Sequence, residues 1–229
     1  MTGLRILACV KRVPAPGAQI ALTADARAVD ARNLAFTTSP HEECAVEEAI
    51  RLTEMHGGDI TVLTVGPPEA EEQLRFAVSV GAQHAVLVTN DHIAAGDDPD
   101  PQATAAAIVE AVRALGRPSV NGIKAIEIAD GVLTARRESD AGFEVYRMNL
   151  PAAVGVKEGI NLPRYPTLPG RLRSKKAEID RRTAEPAPGG LAMVRFETPV
   201  VEVTPTVVLG TGAGAAAAVV DLLFELGLA

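Results

Sequence analysis

The sequence predicts an α/β protein with a doubly wound, mostly parallel sheet, an antiparallel meander and an extended C-terminal arm. Three observations predict this class. The first half alternates apolar runs with helical segments, which is typical of parallel strands covered by helices. The middle holds three β-rich runs joined by Gly-containing turns, which favours antiparallel hairpins. A Pro- and Gly-rich linker then precedes an apolar, Ala-rich end.

Uninterrupted apolar runs predict the parallel strands. Ile6–Val10 is expected to be buried on both faces, and the strands Asp59–Val65 and Ala85–Val88 follow it. A hairpin-like excursion through Ile20–Leu22 and Val29–Ala35 is predicted between the first strand and the others.

Helix ends are predicted from local signals. Ser39 fits an N-cap, Pro40 the first helical position, and Glu42 closes a capping box. A second helix is predicted over Glu69–Val80. A long third helix is expected to begin at an Asp-Pro-Asp-Pro cap and to run over residues 98–116.

A doubly wound sheet then calls for a fourth parallel strand, but the sequence predicts an antiparallel meander instead. Its strands are expected at Ile123–Ile128, Val132–Arg137 and Phe143–Met148, with a turn at Asp130-Gly131. The apolar run Ala152–Val156 is predicted as one more strand.

Composition limits the class of function. The chain has 229 residues, 47% of them hydrophobic, and a net charge of −7, which argues against nucleic acid as a general partner. Cys9 and Cys44 show neither a CxxC pair nor metal-ligand spacing, so we expect two buried thiols and no metal site. No secretory or transit signal is evident, and Pro and Gly interrupt the uncharged run Val203–Val220. We therefore expect a cytoplasmic protein that does not enter a membrane.

No set of side chains for bond chemistry is evident. The four histidines His41, His56, His84 and His92 lack a catalytic partner nearby in sequence. The run Gly210–Gly214 resembles a dinucleotide fingerprint, but the sequence has no room after it for the second strand that such a unit needs. A flexible entry into a terminal helix at Gly214–Leu226 explains it better.

The segment Pro163–Lys176 has the features of a docking surface. Three prolines and a glycine exclude a regular helix or central strand from its first half. It nevertheless carries Tyr165, Leu168 and Leu172 among five basic residues and no acidic one. Such a loop suits a partner held by an apolar anchor and steered by charge. The alternative is a solvated connection whose leucine packs on its own domain.

Several motifs together resemble the beta subunits of electron transfer flavoproteins. They are the Pro-Arg-Tyr…Leu-Pro run at 163–169 with its lysine-rich end, Ile6–Pro14, Ala45–Leu52, and Gly66-Pro67 followed by a helix that ends at Val80-Gly81-Ala82. The resemblance covers most of the chain. It implies a fold like that of the adenine nucleotide alpha hydrolases.

The resemblance also implies a function. A beta subunit of this family forms a heterodimer with an alpha subunit that holds FAD, and it has no catalytic activity of its own. The heterodimer carries electrons from acyl-CoA-type flavoprotein dehydrogenases, as in fatty acid oxidation, to a membrane quinone reductase.

For cofactors, the resemblance implies AMP at the carboxyl ends of the first strands. The matching positions are Cys9, Ser39 (where the family usually has asparagine) and Val65, while His41 matches a position that leans toward the FAD of the alpha subunit. The family's main phosphate donors lie in a Ser/Gln/Thr-containing loop that this sequence lacks, which places AMP in doubt.

For partners, the resemblance makes Leu168 the anchor that enters a pocket on the dehydrogenase, next to Tyr165. Arg173 and Lys176 match flanking basic positions. Glu138 matches a glutamate that pairs with an arginine of the alpha subunit.

Two domains are expected: an α/β domain at 1–182, and a linker with a C-terminal arm, contacting the alpha subunit, at 183–229. Compared with the family, roughly 30 residues, about one βαβ repeat, are missing near Ser119-Val120. Either the protein has lost them or the sequence omits them. We expect omission, because losing a central strand would expose apolar surface.

Three alternatives remain. A bifurcating family member would hold a second FAD in place of AMP. A stand-alone adenine-nucleotide-binding regulator would form a homodimer without a flavin partner. An ATP-cleaving synthase would need a pyrophosphate loop after the first strand, and Lys11–Gly17 does not supply one.

Overall fold

The computed structural model describes residues 3–89, 101–112, 118–184, 194–200 and 206–228. Its contacts divide the chain into two units, Met1–Arg195 and Phe196–Ala229, which we describe separately. The strands are β1 (Leu4–Cys9), β2 (Val13–Pro14), β3 (Phe36–Thr37), β4 (Gly58–Val65), β5 (His84–Thr89), β6 (Ser119–Ala129), β7 (Val132–Ser139), β8 (Gly142–Asn149), β9 (Ala153–Val156) and β10 (Asp180–Thr183). The helices are α1 (Pro40–His56), α2 (Glu71–Val80), α3 (Pro101–Val112), α4 (Leu168–Lys176) and α5 (Ala216–Glu225).

The central sheet is parallel, with strand order β1-β4-β5-β10. Helices α1 and α2 pack their apolar residues on one face of it, around Ile60, Val62 and Leu74. Helix α3 covers the other face over β4 and β5, where Ala107 packs near Val88. The α/β class and the mostly parallel sheet are therefore as predicted.

One expectation about β1 is wrong. Ile6–Val10 was expected to be buried on both faces, yet β1 is an edge strand of the described sheet, and its residues alternate between the core and solvent. Leu7 and Cys9 are exposed, because α3 packs over β4 and β5 rather than over β1. Cys44, by contrast, is buried as expected.

The predicted N-terminus of α1 is confirmed. The Ser39 hydroxyl accepts a hydrogen bond from the backbone N–H of Glu42 at 3.4 Å, and the Glu42 carboxylate accepts one from the backbone N–H of Ser39 at 3.1 Å. These two bonds satisfy donors that a helix start otherwise leaves free. Gly57, with φ +72°, ends the helix.

The excursion after β1 is also present. Leu22 and Val29 form an antiparallel bridge, and the short strands β2 and β3 pair beyond it.

The antiparallel meander is confirmed, with strands somewhat longer than predicted. Its order is β8-β7-β6-β9, and β9 runs parallel to β6. The turn between β6 and β7 places Asp130 and Gly131 at φ +50° and +77°, a conformation that Asp and Gly tolerate better than other residues. Ile123 and Ala135 lie at the centre of its apolar core.

A fourth parallel strand does exist, but it is not formed by the residues directly after the third helix, where a doubly wound sheet calls for it. Strand β10 pairs with β5, with Asp180 opposite Val86. It comes after the meander and α4, and its four residues are all exposed. Buried Ile179, directly before it, joins the main core.

The segment Pro163–Lys176 has no helix or strand over residues 163–167, in line with the expectation for its first half. Its later half is a helix, α4, which begins at Leu168 although a proline and a glycine follow directly. Pro169 is tolerated because N–H groups in the first turn of a helix have no hydrogen-bond partner within the helix, so the N–H that proline lacks is not needed. The hydroxyl of Thr167 caps the helix by accepting from the backbone N–H of Gly170 at 3.1 Å.

In the second unit, a 3-10 turn at Gly212–Ala215 leads into α5, which confirms the terminal helix. The predicted cap at 98–100, the end of the long helix at 115–116, His92 and most of the linker at 183–190 lie outside the described residues. Within the described ranges, no helix combines the length and apolarity needed to cross a bilayer.

Candidate functional site

An apolar ridge runs along the segment that leads into α4 and along the helix itself. It consists of Leu162, Tyr165, Leu168 and Leu172, whose exposed fractions are 90%, 91%, 71% and 56%. Leu168 and Leu172 are four residues apart in α4 and therefore share a face. Single exposed apolar side chains are common, but four within eleven residues make this segment a candidate docking surface.

The segment that carries most of this ridge contains basic but no acidic residues. The residues from Pro163 to Lys176 include five basic side chains and no acidic one. Arg173, Lys175 and Lys176 lie in the last turn of α4, where positive charge also interacts favourably with the helix dipole.

Helix α4 packs closely on α2. The guanidinium of Arg173 donates to the carbonyl oxygen of Val78 at 3.1 Å. From the other side, Arg75 donates to the carbonyl oxygens of Ser174 at 2.5 Å and Ala177 at 3.3 Å, while Glu71 orients its guanidinium. These bonds fix α4 on the domain, so its outer face is held in one orientation.

The extended segment before α4 is bonded to α1. Asn161 donates through Nδ2 to the carbonyl oxygen of Cys44 at 3.0 Å and to the carboxylate of Glu48 at 2.9 Å. Arg164 lies between Glu47 and Glu54, with nitrogen–oxygen distances of 2.8 Å and 2.7 Å. The hydrogen bonds that Arg164 donates to Glu54 and then to Glu47 raise the pKa of Arg164, and the same arginine lowers the pKa of Glu54.

The predicted partner residues do not all lie in one place. Tyr165 and Leu168 are on the ridge, while Arg173 and Lys176 border a cleft of about 1110 Å³ beside the first residues of β4 and β5. Glu138 lies in the meander on β7, half-exposed, with its carboxylate 3.9 Å from Nζ of Lys124.

The predicted nucleotide residues lie along the carboxyl ends of the parallel strands. Cys9 ends β1 and Val65 ends the neighbouring β4, so both are at the same edge of the sheet. Desolvation, followed by the charge of Glu42, raises the pKa of the Cys9 thiol to about 11, although part of the residue is open to solvent. The hydroxyl of Ser39 is engaged in the cap of α1.

A nearby arginine is relevant to a nucleotide at this edge. Arg12 follows β1, its guanidinium lies 3.3 Å from the centre of the Phe36 ring, and its buried Nε has no hydrogen-bond partner in the described protein. Desolvation lowers the pKa of Arg12, while Glu69 and Glu72 act against that shift. Because this donor is buried and the carboxylates of Glu69 and Glu72 are near, it does not by itself define a phosphate site.

His41 is engaged within the chain. Its Nδ1 accepts a hydrogen bond from the backbone N–H of Glu158 at 2.7 Å. The imidazole therefore links the start of α1 to the residues that follow β9.

Sequence reasoning missed Leu162 and the bonds of Arg164 to α1. Leu162 stands directly before Pro163, and its position next to the predicted segment is the signal that could have included it. The partners of Arg164 are 117 and 110 residues away, so no local pattern indicates them.

Comparisons with known proteins show the family of the chain. A sequence profile of the Electron transfer flavoprotein domain matches residues 27–120. The Electron transfer flavoprotein subunit beta of Syntrophomonas wolfei is 31% identical over 224 residues, covering 86% of this chain and 86% of the relative. Protein FixA of Sinorhizobium fredii is 28% identical over 211 residues, covering 77% and 73%. The Electron transfer flavoprotein subunit beta of Bacillus subtilis is 31% identical over 170 residues, covering 62% and 65%.

The chain belongs to the electron transfer flavoprotein beta subunit family. The family assignment accounts for the motifs at residues 6–14, 45–52 and 163–169 that first indicated it.

Proposed function

We propose that this chain is the beta subunit of a heterodimeric electron transfer flavoprotein. In this proposal an alpha subunit holds FAD, and the heterodimer is cytoplasmic. It carries electrons from acyl-CoA-type flavoprotein dehydrogenases to a quinone reductase in the membrane. The chain acts as scaffold and docking surface and performs no bond chemistry itself.

The observation that carries the proposal is the exposed apolar ridge on a fixed helix with basic neighbours. Leu168, at the start of α4, projects with 71% of its surface exposed. A leucine that enters an apolar pocket contributes affinity by burial, while the basic side chains around it attract an acidic rim and speed association. Tyr165, Arg173 and Lys176 take the flanking positions.

Contact with the alpha subunit is proposed for the C-terminal arm and for Glu138. Helix α5 has no buried residue, although it is rich in apolar side chains. A helix rich in apolar side chains, none of them buried, favours a covering partner. Glu138 would pair with an arginine of the alpha subunit as the flavin domain changes orientation.

The nucleotide site is proposed at the carboxyl edge of the sheet, around Cys9, Ser39 and Val65, where ligands of open α/β sheets bind. The donor that we assign to AMP is Nε of Arg12, which is buried and has no partner among the described residues, so it would have to be uncovered to bond a phosphate. His41 is proposed near the FAD held by the alpha subunit. In a bifurcating type a second FAD would replace AMP, and acid release would give two flavins per heterodimer.

The test of the docking role is the variant Leu168→Ala in the purified heterodimer. We expect the rate constant for reduction by a flavoprotein dehydrogenase to fall by about 10-fold or more, as for a buried anchor residue. FAD content and heterodimer mass should not change. Ile20→Ala, at a side chain 51% exposed and outside the ridge, is the matched control. An unchanged rate in Leu168→Ala rejects the docking assignment.

A further inference from the structure

The ridge is joined to α1 through one arginine, and we propose that Arg164 is the residue that positions the ridge for its partner. The positioning proposal rests on the docking function proposed above. It adds that the guanidinium of Arg164 holds residues 162–167, which form no helix or strand, in the conformation that a partner would recognise.

The guanidinium of Arg164 bonds both oxygens of two carboxylates, a double fork that we call the clamp. Nε and Nη2 donate to the two oxygens of Glu47 at 2.8 Å and 3.0 Å. Nη1 and Nη2 donate to the two oxygens of Glu54 at 2.7 Å and 3.1 Å. The backbone N–H of Arg164 adds a bond to Glu47 at 3.2 Å. Only a planar guanidinium can bond two carboxylates in this way, so lysine is not equivalent.

The two carboxylates differ in their surroundings. The side chain of Glu47 is 7% exposed and that of Glu54 is 58% exposed. A buried carboxylate needs a hydrogen-bonded cation, which ties Glu47 to Arg164. Glu54, seven residues further along α1, holds the guanidinium from the solvent side. Arg164 is therefore restrained from both the core and the surface.

Arg164 lies between the first two residues of the ridge in sequence. Leu162 and Tyr165 flank Arg164 in sequence and are 90% and 91% exposed, so their own packing cannot fix the segment. Residues 162–167 contain no helix or strand. The clamp therefore sets the direction in which these side chains leave the domain, together with the Asn161 bonds.

A fixed segment has a kinetic consequence. A surface that is ordered before binding loses less conformational freedom on docking than a mobile one. Releasing the clamp should weaken docking while leaving transfer within the formed complex unchanged, because the flavin is held elsewhere. The expected signature is a higher KM for the dehydrogenase with an unchanged kcat.

The variants must avoid leaving Glu47 buried without a partner. Arg164→Gln alone would do so and would strongly destabilise the fold. The double variant Arg164→Gln/Glu47→Gln removes both charges together, so no unpaired charge is buried and the folded protein can be assayed. Arg164→Lys keeps the charge but loses the double fork. Arg32→Gln, which removes an exposed ion pair with Asp30, is the control.

The experiment measures amide hydrogen exchange over residues 161–176 and the KM and kcat for dehydrogenase in the heterodimer. For the double variant we expect at least 10-fold faster exchange at 162–168, a KM raised about 5- to 10-fold and an unchanged kcat, with Arg164→Lys in between and Arg32→Gln unchanged. In a Leu168→Ala background the double variant should add little. Unchanged exchange refutes the clamp, and faster exchange with an unchanged KM refutes the positioning role. If Leu168→Ala itself has no effect on transfer, the docking function fails, and the exchange result still decides whether the clamp exists.

Discussion

Gly170 of α4 lies directly against the carbonyl oxygen of Ser79 at the end of α2, so the two helices meet backbone to backbone. A Cβ atom at position 170 would overlap that oxygen and also contact the hydroxyl of Thr167 at 3.2 Å. Only glycine fits this contact without moving one helix.

The first prediction follows from this contact. Gly170→Ala should lower the free energy of unfolding by about 1–3 kcal/mol, the usual cost of overpacking, and should displace α4 from α2. Thermal unfolding measures it. Gly214→Ala is the control, since a Cβ there meets nothing within 4 Å. Equal losses in the two variants would contradict the contact.

The second prediction concerns the cap of α1. Ser39→Ala removes the hydroxyl that accepts from Glu42, so we expect stability to fall by about 1 kcal/mol. Ser39→Asn should retain the stability, because an asparagine side chain caps equally well. Chemical denaturation of the three proteins tests this. A destabilised Ser39→Asn would show that the hydroxyl does something other than capping.

The third prediction concerns Leu162. Because the residue is 90% exposed, Leu162→Ser should change the unfolding free energy by less than about 0.5 kcal/mol. If Leu162 belongs to the docking surface, the same variant should raise the KM for the dehydrogenase several-fold. Ile20→Ser is the control. A large shift in Tm without a kinetic effect would instead give Leu162 a structural role.

The fourth prediction concerns the Cys9 thiol, whose pKa is raised to about 11. Its alkylation should be slow at pH 8 and should accelerate only as the pH approaches 11, since the thiolate is the reactive form. Glu42→Gln should lower the pKa somewhat, because the Glu42 charge is the second cause of the shift. Rates by peptide mass spectrometry over pH measure both effects.

The same shift has a consequence for stability. The raised pKa favours the protonated folded state, so its contribution is fully present below the pKa of the unfolded thiol, about 8.5. It is lost as the pH rises toward 11. Wild type and Cys9→Ser should therefore diverge in stability between about pH 8 and pH 10.5. Parallel curves would show that the folded and unfolded thiols titrate alike.

Elements with local signals could be predicted from the sequence. The cap of α1 depends on Ser39 and Glu42, three residues apart, and the meander turn on the neighbours Asp130 and Gly131. The residues that form the cap and the turn are neighbours in the chain, so the local sequence is enough to predict both structures.

Elements that depend on distant contacts could not be predicted. Strand β10 has no apolar alternation in Asp180–Thr183, and it is a strand because β5 offers a free edge. The exposure of Leu7 and Cys9 follows from what α3 leaves uncovered. Arg164 looks like any basic residue until Glu47, 117 residues earlier, is brought against it.

The chain is shorter than its relatives. The alignment with the Syntrophomonas wolfei relative spans 224 residues, while 86% of this chain is about 197 residues, so about 27 positions of the relative have no counterpart here. The location of the shortfall near Ser119-Val120 stays a prediction. The mass of the purified native protein tests whether those residues are present in it.

The position of β10 late in the chain has a consequence for biosynthesis. Strand β5 ends at Thr89, but its outer neighbour begins at Asp180, after the meander and α4 have been made. A ribosome-bound nascent chain therefore carries an unpaired β5 edge while the residues between Thr89 and Asp180 are being made, a state open to aggregation or chaperone binding. Completion of the sheet waits until α4 has emerged, so the docking surface and the last strand are released from the ribosome as one unit.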